Sequence, residues 1–362
     1  MKKQYLLTPG PAPVPEEIMK AMSEPIIHHR TSQYRDIVWK INQDIKKIFR
    51  TDANVLTFTS SGTGAMEASV TNTLSKGDTA IVVRGGKFGE RFSEICRAFG
   101  VEVVPIDVEW GTRPHHAAIE KALKEHPEAK AVFIQLCETS TATLYDVKSI
   151  GSVVKNTRAI LVVDAISGLG ADEFFMDEWG VDIAIGGSQK GFMLPPGLAF
   201  LAVSGKAWKL AAASKLPKFY FDLKRYEKVV TEGDSPWTPA ITLVLGLGKA
   251  VSMILDEGVD KFVARHAADA AFVRQSLSGM GLEVFSKYPS DALTAIKVPQ
   301  GLDGKKIVDT MKTKSVIFAG GQGHLKGKIF RIAHMGAITR EDLEHALEKL
   351  KETLAELGHK VK

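Results

Sequence analysis

The sequence predicts an α/β protein built on a mostly parallel sheet, with a smaller α+β unit at its C-terminal end. Three observations carry this reading. Seven short apolar runs of strand length, rich in Val, Ile and Leu, recur between residues 54 and 203. Helical patterns separate most of them, and such βα alternation with near-continuous apolar strands fits a parallel sheet covered on both faces. Beyond residue 257 the alternation gives way to a mixed order of helices and strands.

Taken in order, residues 5–15 are extended, because the prolines of Thr8-Pro9-Gly10-Pro11-Ala12-Pro13-Val14-Pro15 prevent helix and sheet interior. Pro15 suits the first position of a short helix through Met22. Residues 33–50 carry an amphipathic helical pattern. Strands are expected at 54–59, 79–83, 101–105, 131–136, 160–164, 181–185 and 198–203, and helices at 64–75, 87–99, 114–125 and 146–157. A long apolar helix covers 239–257. The remainder reads as helix 258–279, strands near 281–285 and 293–298, helix 304–313, strands near 316–318 and 328–333, and a charged final helix over 339–358. The expected organisation is an extended N-terminal segment with a short helix (1–20), a large domain (21–257) and a small C-terminal domain (258–362).

Within this frame Lys190 stands out. It follows the apolar run Ile183-Ala184-Ile185 and two glycines, at the end of an expected buried strand. Desolvation there disfavours the ammonium form, and a neutral amine is a nucleophile that can condense with an aldehyde. Pyridoxal 5'-phosphate is an aldehyde that many enzymes hold in this way; it also requires an acid at its ring nitrogen and a cradle for its phosphate. Asp164 closes the apolar run Ala159–Val163, 26 residues before the lysine, and supplies the acid. A carboxylate at the C-terminal end of such a strand faces the crevice where α/β sheets bind ligands, although capping of the next turn explains Asp164 equally well. The cradle is Ser60-Ser61-Gly62-Thr63-Gly64, which follows a strand and opens a helix. Its backbone N–H groups and the helix dipole suit an anion. It is neither a P-loop, having no lysine, nor a dinucleotide fingerprint, having Glu67 where the third glycine belongs. Alone it equally fits an ordinary N-cap, and it gains weight from Asp164 and Lys190.

The bulk composition narrows the class. The 362 residues are 44% hydrophobic and 25% charged, enough for one large and one small domain. A net charge of +5 with scattered lysines argues against nucleic acid. Cys96 and Cys137, the two cysteines, point to a reducing compartment and no disulfide framework. No apolar run approaches the ~20 residues of a membrane span, and the N-terminus lacks an apolar signal core, so a cytoplasmic enzyme is expected. The pairs His28-His29 and His115-His116 lack a third ligand at metal spacing, and no metal is expected.

From Leu7-Thr8-Pro9-Gly10-Pro11 to Phe330-Arg331-Ile332-Ala333-His334-Met335-Gly336, the chain resembles the class V branch of the fold-type I pyridoxal phosphate enzymes. Within that branch it is similar to the alanine–glyoxylate and serine–pyruvate aminotransferases. The most specific stretches are Val163-Asp164-Ala165-Ile166-Ser167-Gly168 and Gly187-Ser188-Gln189-Lys190-Gly191-Phe192. The resemblance implies a large domain with a mostly parallel seven-stranded sheet and a small α+β domain. It implies Lys190 as the cofactor lysine, Asp164 as the ring-nitrogen partner, Ser61, Gly62, Thr63 and Gln189 around the phosphate, Ile166 under the ring, and Thr139 near the ring hydroxyl. Arg331 would bind the substrate α-carboxylate. Phe88 stands where some relatives stack Trp or Tyr on the ring, and Thr63 stands where others have His. The segment Asp234-Ser235-Pro236-Trp237-Thr238-Pro239 resembles the part of the family that reaches the neighbouring subunit's phosphate, through Ser235 or Thr238. A homodimer with shared active sites follows from the same resemblance.

The implied reaction is ping-pong transfer of an amino group from alanine or serine to glyoxylate or pyruvate. No second arginine stands out for a side-chain carboxylate except Arg30; its use there would favour aspartate, phosphoserine or an aminophosphonate. A lyase resembling the cysteine desulfurases is the competing chemistry, but no cysteine follows Cys137 and Gln189, rather than His, precedes Lys190. A non-catalytic binding protein on the same fold would be expected to lose Lys190 or Asp164, and both are present.

Overall fold

The structure is a computed structural model that describes residues 4–359. The first three residues of the N-terminal segment and residues 360–362 of the C-terminal unit lie outside the described residues. In chain order the large unit runs β1 (Tyr5–Leu6), α1 (Glu16–Ser23), α2 (Ser32–Phe49), β2 (Val55–Thr59), α3 (Gly62–Thr73), β3 (Thr79–Arg84), α4 (Lys87–Ala98), β4 (Glu102–Asp107), α5 (His116–Glu125) and β5 (Ala131–Gln135). A small hairpin of β6 (Cys137–Glu138) and β7 (Thr143–Leu144) precedes α6 (Val147–Val154) and β8 (Ile160–Asp164). Then come β9 (Ile183–Gly187), β10 (Leu198–Val203), α7 (Gly205–Ala213), α8 (Leu223–Val230) and α9 (Ile241–Glu257). The C-terminal unit comprises α10 (Val259–Gly279), β11 (Leu293–Lys297), α11 (Gly304–Thr313), β12 (Val316–Ile317), β13 (Ala319–Gly320), β14 (Ile329–Ala333) and α12 (Arg340–Glu356).

Seven strands form the central sheet in the order β2-β10-β9-β8-β5-β3-β4. Neighbours from β9 to β4 pair in parallel, and β10 runs antiparallel to both β2 and β9. Strand alternation sends successive residues to opposite faces. Val132, Ile134, Leu161 and Val163 join the core under α2, α5, α6 and α9, while Phe133, Ile160 and Val162 join the core under α3, α4, α7 and α8. Burial of each such side chain contributes roughly 1.5–3 kcal/mol. A third core unites α10, α11 and α12 with a three-stranded sheet ordered β11-β14-β13. The final helix starts at a capping box in which Thr339 and Asp342 satisfy each other's backbone N–H.

The seven strands and the long helices lie where the sequence predicts them, and three local differences have physical causes. The strand expected at 181–185 occupies 183–187. Asp182 stays outside it, accepting Leu161 N–H at 3.0 Å and the Ser204 hydroxyl at 2.7 Å. The strand continues through Gly186, where an added Cβ would lie 3.1 Å from both Phe200 and Phe49. The strand expected near 281–285 is instead a single bridge, Val284 to Ile296. Two helices that the reading omitted, α7 and α8, begin at Ser204 and Asp222, whose side chains cap them. The N-terminal segment joins both units: Tyr5 and Leu6 pair with Val316 and Ile317, Leu7 enters the C-terminal core, and Ala12 N–H donates to Gln189 O at 2.9 Å.

Candidate active site

The C-terminal ends of β2, β5, β8 and β9 open on one edge of the sheet, the side where parallel sheets present ligand-binding loops. Ser61 follows β2, Asp164 ends β8, Gln189 and Lys190 follow β9, and Thr139 lies in the hairpin after β5. Asp164 is 4% exposed. Among the described residues its carboxylate accepts one hydrogen bond, at Oδ1 from Ile166 N–H (3.0 Å). It therefore does cap its turn, and Oδ2 remains for a second partner. Burial, with the Glu138 carboxylate adding to it, pushes Asp164 up to about 7, against the pull of Ile166 N–H, Lys190 and Arg91.

Lys190 lies in the turn from β9 to β10. That turn is held by Met193 N–H to Lys190 O (3.0 Å), by the Ser188 hydroxyl to Pro195 O (2.8 Å), and by Leu198 N–H to Ser188 Oγ (3.1 Å). The lysine is 9% exposed, and burial lowers its amine to about 8; Arg331 and Arg91 act in the same direction and Asp164 opposes them. Nζ donates to Pro9 O. Gly10 approaches so closely that a Cβ there would lie 2.7 Å from Nζ, and its φ of +127° suits glycine. The proline-rich segment thus lies against the amine.

The cradle is the N-terminus of α3. Its N-cap, Ser61, makes no side-chain cap; Gly64 N–H turns back to Ser61 O (2.9 Å), and the N–H groups of Gly62 and Thr63 at the start of the helix suit an anion. Gly62 faces Ile166, where an added Cβ would lie 2.4 Å from Cδ1, and the empty Cβ position of Gly187 faces both Ile166 and the Gln189 amide. Ser61, Gly62, Ile166, Gly187 and Gln189 thus converge. Gln189 Oε1 is buried without a partner, an acceptor that an N–H or O–H of a bound ligand or of an ordered water would satisfy. The anion-ready helix end, the buried amine and the buried acid match the three demands of pyridoxal phosphate, so the residues present fit that group.

Toward the C-terminal unit, the Thr139 hydroxyl donates to Ser167 Oγ (2.6 Å). Arg331, 5% exposed on β14, donates to Thr139 O (2.9 Å) and to Gly320 O (2.8 Å from Nη2, 3.1 Å from Nε). Its guanidinium thus bridges the two units beside Thr139, and burial lowers it to about 10. Phe88 opens α4 and is half-buried. Ser235 and Thr238 make no hydrogen bond to Lys190, Asp164 or the cradle among the described residues. The Ser235 hydroxyl donates to Trp237 O (2.7 Å) and Thr238 is exposed, although Ala240 N–H, just beyond, donates to Thr59 Oγ1 (3.1 Å). Arg30 is held by Asp234 (2.5 Å) and Ser235 O (3.0 Å).

Two residues at the site escaped the sequence reading. Glu138, fully buried, accepts from Phe88 N–H, Gly89 N–H and Ser140 N–H, each at 3.1 Å, and from the Ser140 hydroxyl at 2.6 Å. It fixes the backbone that carries Phe88. Burial nevertheless raises its carboxyl. Arg91 donates to Thr63 Oγ1 (3.2 Å) and stacks its guanidinium over the Phe88 ring (4.8 Å).

Comparison with known proteins gives the family and the fold. The family model for class-V aminotransferases matches residues 4–343. The chain is 39% identical to the soluble hydrogenase 42 kDa subunit of Anabaena cylindrica, over 99% of this chain and 94% of that protein. It is 34% identical to the serine–glyoxylate aminotransferase of Methylorubrum extorquens, over 99% of this chain and 93% of that one. The crystal structure of a subgroup IV aspartate aminotransferase from Thermus thermophilus superposes with a TM-score of 0.91 at 34% identity, covering 97% of this chain and 99% of that chain.

Proposed function

The chain belongs to the class-V aminotransferase family, and from that premise we propose that it moves the amino group of alanine or serine to glyoxylate or pyruvate in two ping-pong half-reactions. It is an aminotransferase of fold type I, and its family implies pyridoxal phosphate. The observation that carries the mechanistic reading is the convergence of a buried amine at Lys190, a buried acid at Asp164 and an uncapped helix end at Ser61–Thr63. When bound, the cofactor supplies an electron sink for the substrate Cα. Lys190 would hold the aldehyde and then move the Cα proton as general base and acid. Asp164 would face the ring nitrogen; Ser61, Gly62, Thr63 and Gln189 would hold the phosphate; Phe88 and Ile166 would flank the ring; Thr139 would approach the ring hydroxyl. Arg331 would receive the substrate α-carboxylate with a rigid guanidinium fork.

The small neutral donor rests on Arg30 being engaged by Asp234, which leaves it unsuited to a second substrate carboxylate. The serine–glyoxylate relative supports this reading, and the aspartate aminotransferase supports the alternative of an acidic donor. A panel of alanine, serine, aspartate and phosphoserine against glyoxylate, pyruvate and 2-oxoglutarate separates them. Alanine or serine with glyoxylate or pyruvate should turn over fastest, and Arg331→Ala should raise KM for every donor by about tenfold or more. A strong preference for aspartate or phosphoserine would overturn the small-donor reading. A desulfurase-like role is disfavoured by Cys137, whose thiol is fully buried and pushed well up by desolvation. The hydrogenase name belongs to the Anabaena protein; this chain keeps Lys190 and Asp164.

We also propose a homodimer with shared active sites and the division into segments 1–20, 21–257 and 258–362, the last two meeting at Gly258 between α9 and α10. Large apolar side chains at Ile26 (70% exposed), Trp39 (52%) and Phe219 (65%) support the dimer, and Phe219 stacks on Trp237 between Ser235 and Thr238. Sedimentation should give a dimer at working concentrations; a fully active monomer would refute it. Among the described residues no helix is long and apolar enough to cross a membrane. A cytoplasmic location remains part of this proposal, supported by the two free, buried cysteines.

A further inference from the structure

We propose that Arg91 is a positioning residue of the cofactor cradle, whose one guanidinium orients both the Thr63 hydroxyl at the phosphate end and the Phe88 ring beside it. The inference rests on the cofactor reading above. Thr63 is the second residue of α3, at the uncapped helix end. Its hydroxyl accepts a hydrogen bond from Arg91 Nη1 at 3.2 Å. A threonine hydroxyl has one proton and two acceptor lone pairs. Once a lone pair is taken by a cation that only donates, the hydroxyl proton is directed elsewhere, and Thr63 becomes a donor toward an anion at the helix end. The same guanidinium lies 4.8 Å from the centre of the Phe88 ring, within cation–π range. Phe88 is a residue of the helix α4 that also carries Arg91, and its backbone is pinned by Glu138. The ring therefore has two independent constraints.

The arrangement also places a permanent cation beside Thr63, at the helix end that forms the cradle. A cation there favours a bound anion, and it reaches far enough to bias Lys190 toward its neutral amine and Asp164 toward its carboxylate. Each of these is the form that the cofactor needs. Lysine at position 91 would keep the charge but lose the planar fork that serves hydroxyl and ring together.

The test titrates the apo-protein by absorbance with pyridoxal phosphate and, separately, with pyridoxal, which lacks the phosphate. The ratio of the two affinities reports the cradle without requiring turnover. Arg91→Met should lose about tenfold or more of the wild-type ratio, and Arg91→Lys should recover part of that loss. In a Thr63→Val background Arg91→Met should cost clearly less, because the two side chains act through one hydrogen bond. Melting of each apo-variant checks the fold; should Arg91→Met not fold, Arg91→Lys and Thr63→Val still have to lower the ratio. An Arg91→Met ratio equal to wild type, or losses that simply add with Thr63→Val, would overturn the role of Arg91 alone. A wild-type apo-protein that binds no pyridoxal phosphate would instead overturn the cofactor reading, and this inference with it.

Discussion

Lys190→Ala should reduce amino transfer by about 10⁴-fold or more while leaving the fold intact, because it removes both the nucleophile and the proton carrier. The substitution deletes a side chain that the fold accommodates at a cost, since the ammonium is desolvated and burial lowers it to about 8. The apo-variant should therefore melt no lower than the parent. The same value sets a pH dependence. An amine that ionises near 8 is mostly neutral above that pH, so condensation of the apo-protein with pyridoxal phosphate should rise through pH 8 and then level. An exposed lysine, ionising near 10.4, would still be gaining at pH 10. Steady-state turnover, melting temperature and this pH profile check the prediction together. Near-normal turnover by Lys190→Ala would remove the lysine from the chemistry.

Asp164→Asn should lower turnover by about 10²–10³-fold with a much smaller loss of cofactor affinity, because the carboxylate stabilises charge that matters most as the Cα proton leaves. Its effect on stability has the opposite sign. The folded-state value, about 7, lies above the ordinary 3.8. Well below pH 3.8 the carboxyl is neutral in both states and costs nothing. As the pH rises toward 7 the unfolded chain ionises while the folded one resists, so the group destabilises the apo-protein progressively, and fully above 7. Asp164→Asn should then raise the apo-protein's melting temperature at pH 8 and change it little at pH 4. Melting curves at the two pH values, beside turnover, separate a catalytic acid from a simple turn cap. A variant with normal turnover would leave Asp164 only as the cap of Ile166 N–H.

Much of the fold was legible because its strands are buried on both faces, which writes long apolar runs into the sequence. Ile160–Asp164 and Leu198–Val203 are visible for that reason. The helices α7 and α8 are short and lysine-rich, and their caps, Ser204 and Asp222, were the available signal. Lys190, Asp164 and Ser61–Thr63 were legible because each breaks or ends such a run with a residue whose type is unexpected there. Arg91 and Glu138 were not. Arg91 reads as one more charge on an amphipathic helix, and only the packing of α4 beside α3 brings it to Thr63. The donors to Glu138 come from Phe88 and Gly89, about fifty residues away in the chain, and no local pattern announces that convergence. Ser235 and Thr238 depend on a neighbouring subunit for the role the family resemblance implies, so a single chain places them without completing it.

The most direct test of the account is the position of the cofactor bond. Purified protein loaded with pyridoxal phosphate should show a visible absorption band that borohydride bleaches, and mass spectrometry of the digested, reduced protein should find the pyridoxyl mass on the peptide carrying Lys190. The same mass on another lysine, or no band and no label at all, would contradict the assignment of the site.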